Sequence, residues 1–177
     1  MKLLKGGLAL LGAGMFLVTT YLVVTFIVRH PYKGAKTLRV NSIFSAMQDP
    51  SGVFFIKGWS YSEGTHRWTD GKIAKLAFSI EDNNEHDKSC SQKVLNLYPI
   101  MVIDSCQSLS ININEKYLLN YLLCETDTII SIPLPGEIVN YDKTNLLTIA
   151  IGAPRVPSDF DKRLLGFAIN KYSVQCR

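Results

Sequence analysis

The chain contains no Gly-x-Ser-x-Gly elbow, no phosphate-binding glycine loop and no Cys-x-x-Cys pair. The short signals of a serine hydrolase, a nucleotide-binding loop and a dithiol redox site are therefore missing. Histidine is scarce, with only His30, His66 and His86. Glu85, His86, Asp87 and Cys90 are neighbours in sequence but lack a recognised ligand spacing, so neither a metal nor a cofactor is expected. Acidic side chains are absent from the first 40 residues, which hold Lys2, Lys5, Arg29, Lys33, Lys36 and Arg39. The rest of the chain then carries 13 of the 19 basic side chains against all 15 acidic ones. A mildly acidic body does not neutralise a phosphate backbone, so the net charge of +4 is no sign of nucleic acid. Four cysteines in 177 residues are too few to replace a hydrophobic core. The absence of any Asn-x-Ser/Thr sequon fits a bacterial product.

What is present begins with an anchor. Residues 6–28 (GGLALLGAGMFLVTTYLVVTFIV) carry no charge. As a helix this run is about 34 Å long, enough for a hydrocarbon core of about 30 Å. It exceeds the apolar stretch of a signal peptide, and Val28-Arg29-His30-Pro31 is a poor cleavage site. Residues 1–28 therefore read as a short cytoplasmic tail and one transmembrane helix in the lipid bilayer, and 29–52 as a juxtamembrane linker. Basic residues flank the run on both sides, so they do not fix its orientation. All four cysteines lie beyond it, and an even number suits an oxidising compartment. The expectation is a bacterial inner-membrane protein with its C-terminal domain in the periplasm.

Hydrophobic residues make up 47% of the chain, which excludes disorder and leaves residues 53–177 enough apolar mass for one core. Short apolar runs separated by turn residues predict strands at about 53–60, 72–80, 93–103, 109–114, 118–124, 128–132, 145–152 and 164–174. A short helix is expected around 41–48, ended by Asp49-Pro50-Ser51-Gly52. The polar stretch 81–92 reads as a surface loop. The fold class is all-β, a two-sheet antiparallel β-sandwich, jelly-roll-like, behind one transmembrane helix.

The stretch GWSYSEGTHRWTDGKIAKLAF resembles the opening of a β-sandwich domain at the C-terminal, periplasmic end of some bacterial membrane glycosyltransferases and phosphoglycerol-transferase-like proteins. The matching positions are Gly58, Trp59, Glu63, Arg67, Trp68 and Thr69. DFDKRLLGFAINKYSV resembles the closing strand of that domain, on Asp161, Arg163, Leu165 and Gly166. The likeness covers roughly residues 53–175. In that family the domain follows a large multi-pass enzyme, whereas here a single apolar run precedes it. The resemblance implies an envelope-polysaccharide setting and not transferase activity.

Trp59, Tyr61, Glu63, Arg67 and Trp68 form the candidate ligand-binding segment. Aromatic faces stack on sugar rings, while carboxylate and guanidinium groups hydrogen-bond hydroxyls. The competing reading puts both tryptophans in the core and pairs Glu63 with Arg67 to hold a loop. Asp159 and Asp161 read as turn residues before the last strand. The leading function is an accessory module for envelope polysaccharide synthesis or modification. Its partner would be envelope glycan or a multi-pass membrane glycosyltransferase, with no catalytic residue assigned. Two other readings stay open: an enzyme acting on lipid-linked or envelope glycan, and a structural or phage-exclusion-type inner-membrane protein without a sugar ligand.

Four cysteines allow three connectivities. A hairpin turning at Asn114-Glu115-Lys116 sets Cys106 opposite Cys124, unless a bulge shifts the register by one. The resemblance makes the strand after Cys90 and the strand before Cys176 antiparallel neighbours, which implies a second bond between those two.

Overall fold

The computed structural model describes residues 35–48, 54–81, 90–104, 106–126, 128–141 and 143–177. Their strands are β1 (Lys36–Arg39), β2 (Ser42–Ser45), β3 (Phe55–Lys57), β4 (Arg67–Asp70), β5 (Ile73–Glu81) and β6 (Lys93–Val102). The chain continues through β7 (Gln107–Ile113), β8 (Lys116–Leu123), β9 (Ile130–Pro133), β10 (Asn145–Ile151) and β11 (Leu165–Cys176). They form two sheets, one in the order β1-β5-β10-β7-β8 with β3 also on β5, the other in the order β4-β11-β6-β9.

The inner faces follow from period-two alternation. Ala74, Leu76, Phe78 and Ile80 of β5, Leu147, Ile149 and Ile151 of β10, and Leu109, Ile111 and Ile113 of β7 are buried on one side. Leu95 and Leu97 of β6, Ile130 and Ile132 of β9, and four residues of β11 meet them from the other. In β11 the buried set is Phe167 and Ile169, then Tyr172 and Val174. The step of three falls where the β11–β6 register shifts between Ile169 and Lys171. A β-bulge adds one residue to the strand, so the inward parity changes from odd to even.

The segment expected to hold a helix is extended. β1 lies parallel to β5, pairing Leu38 with Ile80. Asn41, with φ of 60°, turns the chain, and its N–H donates to the Val174 carbonyl at 2.7 Å. The Ala46 N–H donates to the Asn170 carbonyl at 2.8 Å, tying the end of β2 to β11. Residues 36–46 thus bridge the two sheets along one side and bury Leu38 and Ala46 in the core. Two corrections follow. The sandwich begins upstream of residue 53, and one of its pairings is parallel. A strand that buries its apolar residues against both sheets gains more than a lone amphipathic helical turn in a linker. β4 is also additional to the expected strands, since four residues carrying Arg and Asp give no apolar run.

The chain from Gly34 to Arg177 forms one compact unit. Among the described residues no helix is long and apolar enough to cross a membrane. The expected span at residues 6–28 lies outside the described residues, as does most of the expected surface loop, 82–89.

Both disulfides pair as expected, Cys106 with Cys124 and Cys90 with Cys176. The second closes the end of the four-stranded sheet, where Cys176 of β11 stands opposite Lys93 of β6.

Candidate functional site

The two stretches that carry the family resemblance meet in space. β4 pairs antiparallel with β11, setting Asp70 opposite Leu165 and Trp68 opposite Ala168. Thr69 is fully buried at this seam. Its hydroxyl accepts from the backbone N–H groups of Gly166 and Phe167 at 3.2 and 3.0 Å and donates to the Phe167 carbonyl at 3.2 Å. A Cβ on Gly166 would stand 2.9 Å from both the Thr69 hydroxyl oxygen and Ile151, so the approach needs glycine. Gly58 is constrained in the same way, with φ of 70° and the Ile73 carbonyl where a Cβ would stand.

Beyond this seam two loops project. The loop at residues 60–66 is closed by the Ser60 N–H donating to the Trp68 carbonyl and the Glu63 N–H donating to the His66 carbonyl, each at 2.8 Å. In the loop before β11, the Ser158 hydroxyl accepts from the Asp161 N–H at 3.1 Å. Arg163 joins them. Its Nη1 donates to Glu63, its Nε donates to Asp161 Oδ1 at 2.9 Å, and its Nη2 donates to Asp161 Oδ2 at 2.5 Å. The forked guanidinium thus holds one carboxylate bidentately and reaches across to a second, 100 residues away in sequence. The side-chain and backbone hydrogen bonds from Arg163 pull the Asp161 carboxyl down to about 2. The two carboxylates in turn push the Arg163 guanidinium up, Asp161 more than Glu63. The cluster carries one net negative charge, with Arg163 shared between two carboxylates.

The five candidate residues separate. Tyr61 is 82% exposed at the loop tip, and Trp68 is half-buried, with its ring edge-to-face with His66 at 6.0 Å. Glu63 is paired with Arg163 and not with Arg67 as the competing reading had it. Arg67 is only 4% exposed. Its Nε donates to the Ala46 carbonyl and its Nη1 to the Ser60 carbonyl, both at 3.2 Å, and the guanidinium lies 4.7 Å from the centre of the Phe55 ring. Trp59 packs on the edge of the core against Phe55 and Phe167 and donates its indole N–H to the Lys75 carbonyl at 3.2 Å. Alternation along β4 explains the division, since it sends Arg67 and Thr69 inward and leaves Trp68 and Asp70 facing out.

Sequence reasoning missed Phe160, which is 99% exposed, and the bridging role of Arg163 and Asp161. The Asp-x-Arg spacing was visible, but its carboxylate partner across the loop was not. At the opposite end of the four-stranded sheet is an open groove of about 580 Å³, lined by Lys93, Leu134, Glu137 and Tyr141 beside Cys90. There the Lys93 ammonium lies 4.4 Å above the Tyr141 ring.

No protein-family model matches the chain, and no curated protein sequence matches it. Solved structures are similar to it. A family 35 carbohydrate-binding module from Paenibacillus barcinonensis aligns at 12% identity with a TM-score of 0.39, covering 78% of this chain and 91% of the module. A family 35 module from an environmental isolate aligns at 11% identity with a TM-score of 0.36, over 75% of this chain and 83% of the module. The exo-β-1,3-galactanase of Phanerochaete chrysosporium, solved with β-1,3-galactotriose, aligns at 13% identity with a TM-score of 0.37. There 75% of this chain covers 27% of the enzyme chain. No residue role is carried over from any of them.

Proposed function

We propose that the protein is a glycan-binding interaction module held at the bacterial inner membrane by residues 6–28, with its sandwich in the periplasm. The observation that carries the reading is the exposure of Tyr61 and Phe160, 82% and 99%, on two loops clamped by Glu63, Arg163 and Asp161. Large aromatic rings held in water on braced loops suit stacking on sugar rings, because little ordering entropy remains to oppose binding. The clamp offers carboxylate acceptors to hydroxyl groups. The paired cysteines and the resemblance to envelope-glycosyltransferase domains support the periplasmic setting. The module would assist polysaccharide synthesis or modification by holding glycan near a membrane transferase.

A glycan array probed with the full chain in detergent tests this. Binding that is lost in Tyr61→Ala and Phe160→Ala, with the melting temperature kept, is the expected result. No binding to any envelope glycan, or binding indifferent to both substitutions, would overturn it. A C-terminal alkaline phosphatase fusion should be active in intact cells; an inactive fusion beside a fluorescent cytoplasmic one refutes the topology.

A further inference from the structure

On the outer face of the six-stranded sheet, the side away from the core, the strand registers set the side chains in rows. One row crosses β8, β7, β10 and β5 as Tyr117, Asn112, Thr148 and Lys75. The next is Asn120, Ser110, Ala150 and Ile73. Tyr117 and Asn120, three apart in sequence, share this face because the register shift in the β7–β8 pair admits Leu118 as an extra residue between them. Beyond them Leu122 stands opposite Ser108. Side-chain length gives the face its relief. β7 and β10 present a low floor of hydroxyl, amide and methyl groups. β8 raises Tyr117 and Leu122 on one side, 61% and 65% exposed, and β5 raises Lys75 and Ile73 on the other. The result is a shallow trough along β7 and β10. It is about 14 Å long from Ser108 to Asn112, and its walls are three strand spacings apart, also about 14 Å.

Among the described residues, no hydroxyl or side-chain amide of this floor makes a hydrogen bond, whereas Thr37 and Ser79 toward the far side of the sheet pair with each other at 3.0 Å. Composition decides what fits there. Lys75 is the one charged side chain in these rows, so a polyanion such as nucleic acid finds too little counter-charge. Protein interfaces are depleted in serine and alanine, which are two of the three residue types on β7 and β10 in the second row and its neighbour Ser108. Groups that both donate and accept, walled by an aromatic ring and aliphatic side chains, match a chain of uncharged sugars, with hydroxyls on the floor and a ring face on Tyr117. We propose that this trough is a second glycan-binding site, which takes an uncharged oligosaccharide laid along β7 and β10. It shares no residue with the loops that carry Tyr61 and Phe160.

The test uses the full chain in detergent. Calorimetric titrations compare neutral oligosaccharides, from monosaccharide to hexasaccharide, with uronic-acid-containing ones of the same lengths. Tyr61→Ala combined with Phe160→Ala isolates the trough. That double variant should still bind neutral oligosaccharides, and tetrasaccharides more tightly than monosaccharides because the trough is longer than one ring. Adding Asn112→Ala and Thr148→Val should weaken this binding by about tenfold or more, since two neutral hydrogen bonds are lost. The melting temperature should stay within a few degrees and both native disulfides should be kept. Bound tetrasaccharide should also protect Tyr117 from nitration, a readout that needs no substitution in the sheet. Binding that vanishes with Tyr61 and Phe160 would overturn the trough and leave the loop reading intact. A preference for the uronic-acid series would overturn it too, as would binding that is indifferent to the floor substitutions and leaves Tyr117 open to nitration. Failure of the parent chain to bind any neutral oligosaccharide would overturn it outright.

Discussion

Cys106 faces Cys124 across the β7–β8 ladder because a β-bulge at Leu118 absorbs the one extra residue of the hairpin. The turn is the two-residue pair Asn114–Glu115, both with positive φ of 50° and 69°, which matches the twist of the flanking strands. Next to the turn, Ile113 opposes Lys116 and Asn112 opposes Tyr117. Continued without change, that register would put Cys106 opposite Leu123, with Cys124 on the other face. The register shifts between Ile111 and Asn112, so Ile111 opposes Leu119 and Gln107 opposes Leu123. The extra residue, Leu118, brings the two cysteines into line with a Cα separation of 4.0 Å.

Deleting Leu118 should remove the bulge and leave an unbroken ladder in which Cys106 still opposes Cys124. The Cys106–Cys124 bond should then persist in non-reducing peptide maps, with Cys90–Cys176 intact, whereas free or mispaired Cys106 and Cys124 would show that Leu118 is not the residue the bulge absorbs. By loop length alone, removing the Cys90–Cys176 pair with its separation of 86 should cost about 4–5 kcal/mol, against about 3 for the pair separated by 18. Denaturant midpoints of the double serine variants measure the order.

Gly58→Ala should destabilise the domain by about 1–3 kcal/mol or more, because a Cβ there is strained by the positive φ and meets the Ile73 carbonyl. Gly64→Ala should cost less, since its φ is also positive but no atom lies within 4 Å of the added carbon. Thermal melts of the two variants rank them.

Asp161 sets an acid limit on the loop clamp. Its folded value is lowered, so its contribution is fully present above about pH 4 and is lost as pH falls through about 2. The clamp should therefore be insensitive to pH across the neutral range. Following the carboxyl carbon of Asp161 by NMR should show a midpoint near 2, and Arg163→Gln should move that midpoint upward. A midpoint at the ordinary carboxylate value in the parent protein would contradict the bidentate geometry.

Asn145 is fully buried and holds the loop before β10. It donates to the carbonyls of Asn140 and Lys143 at 2.8 and 3.1 Å and accepts from the Asn140 N–H and the Asn114 amide at 2.8 and 2.9 Å. Asn145→Leu would strand those buried groups and should cost about 2–4 kcal/mol. Chemical denaturation reads the loss, with increased amide exchange at Asn140 as its local signature.

The sequence alone determined most of the strands of the sandwich, because period-two burial is written in runs such as Leu147, Ile149 and Ile151. It also carried the cysteine pairings, through a local hairpin and a recognisable closing strand. It did not reveal β1 and β2, whose apolar residues are too few to read as strands until both sheets are present to bury them. It placed Arg67 at the surface with Glu63, since an arginine in a polar stretch gives no local sign of burial. Only tertiary structure decided that Arg67 goes inward to backbone carbonyls and a Phe ring, and that Glu63 takes Arg163 instead. The reason is one of range. Alternation and turn chemistry act over a few residues and are legible in the chain, whereas a charged group's partner is set by which distant strands become neighbours. Here that neighbour relation is β4 beside β11.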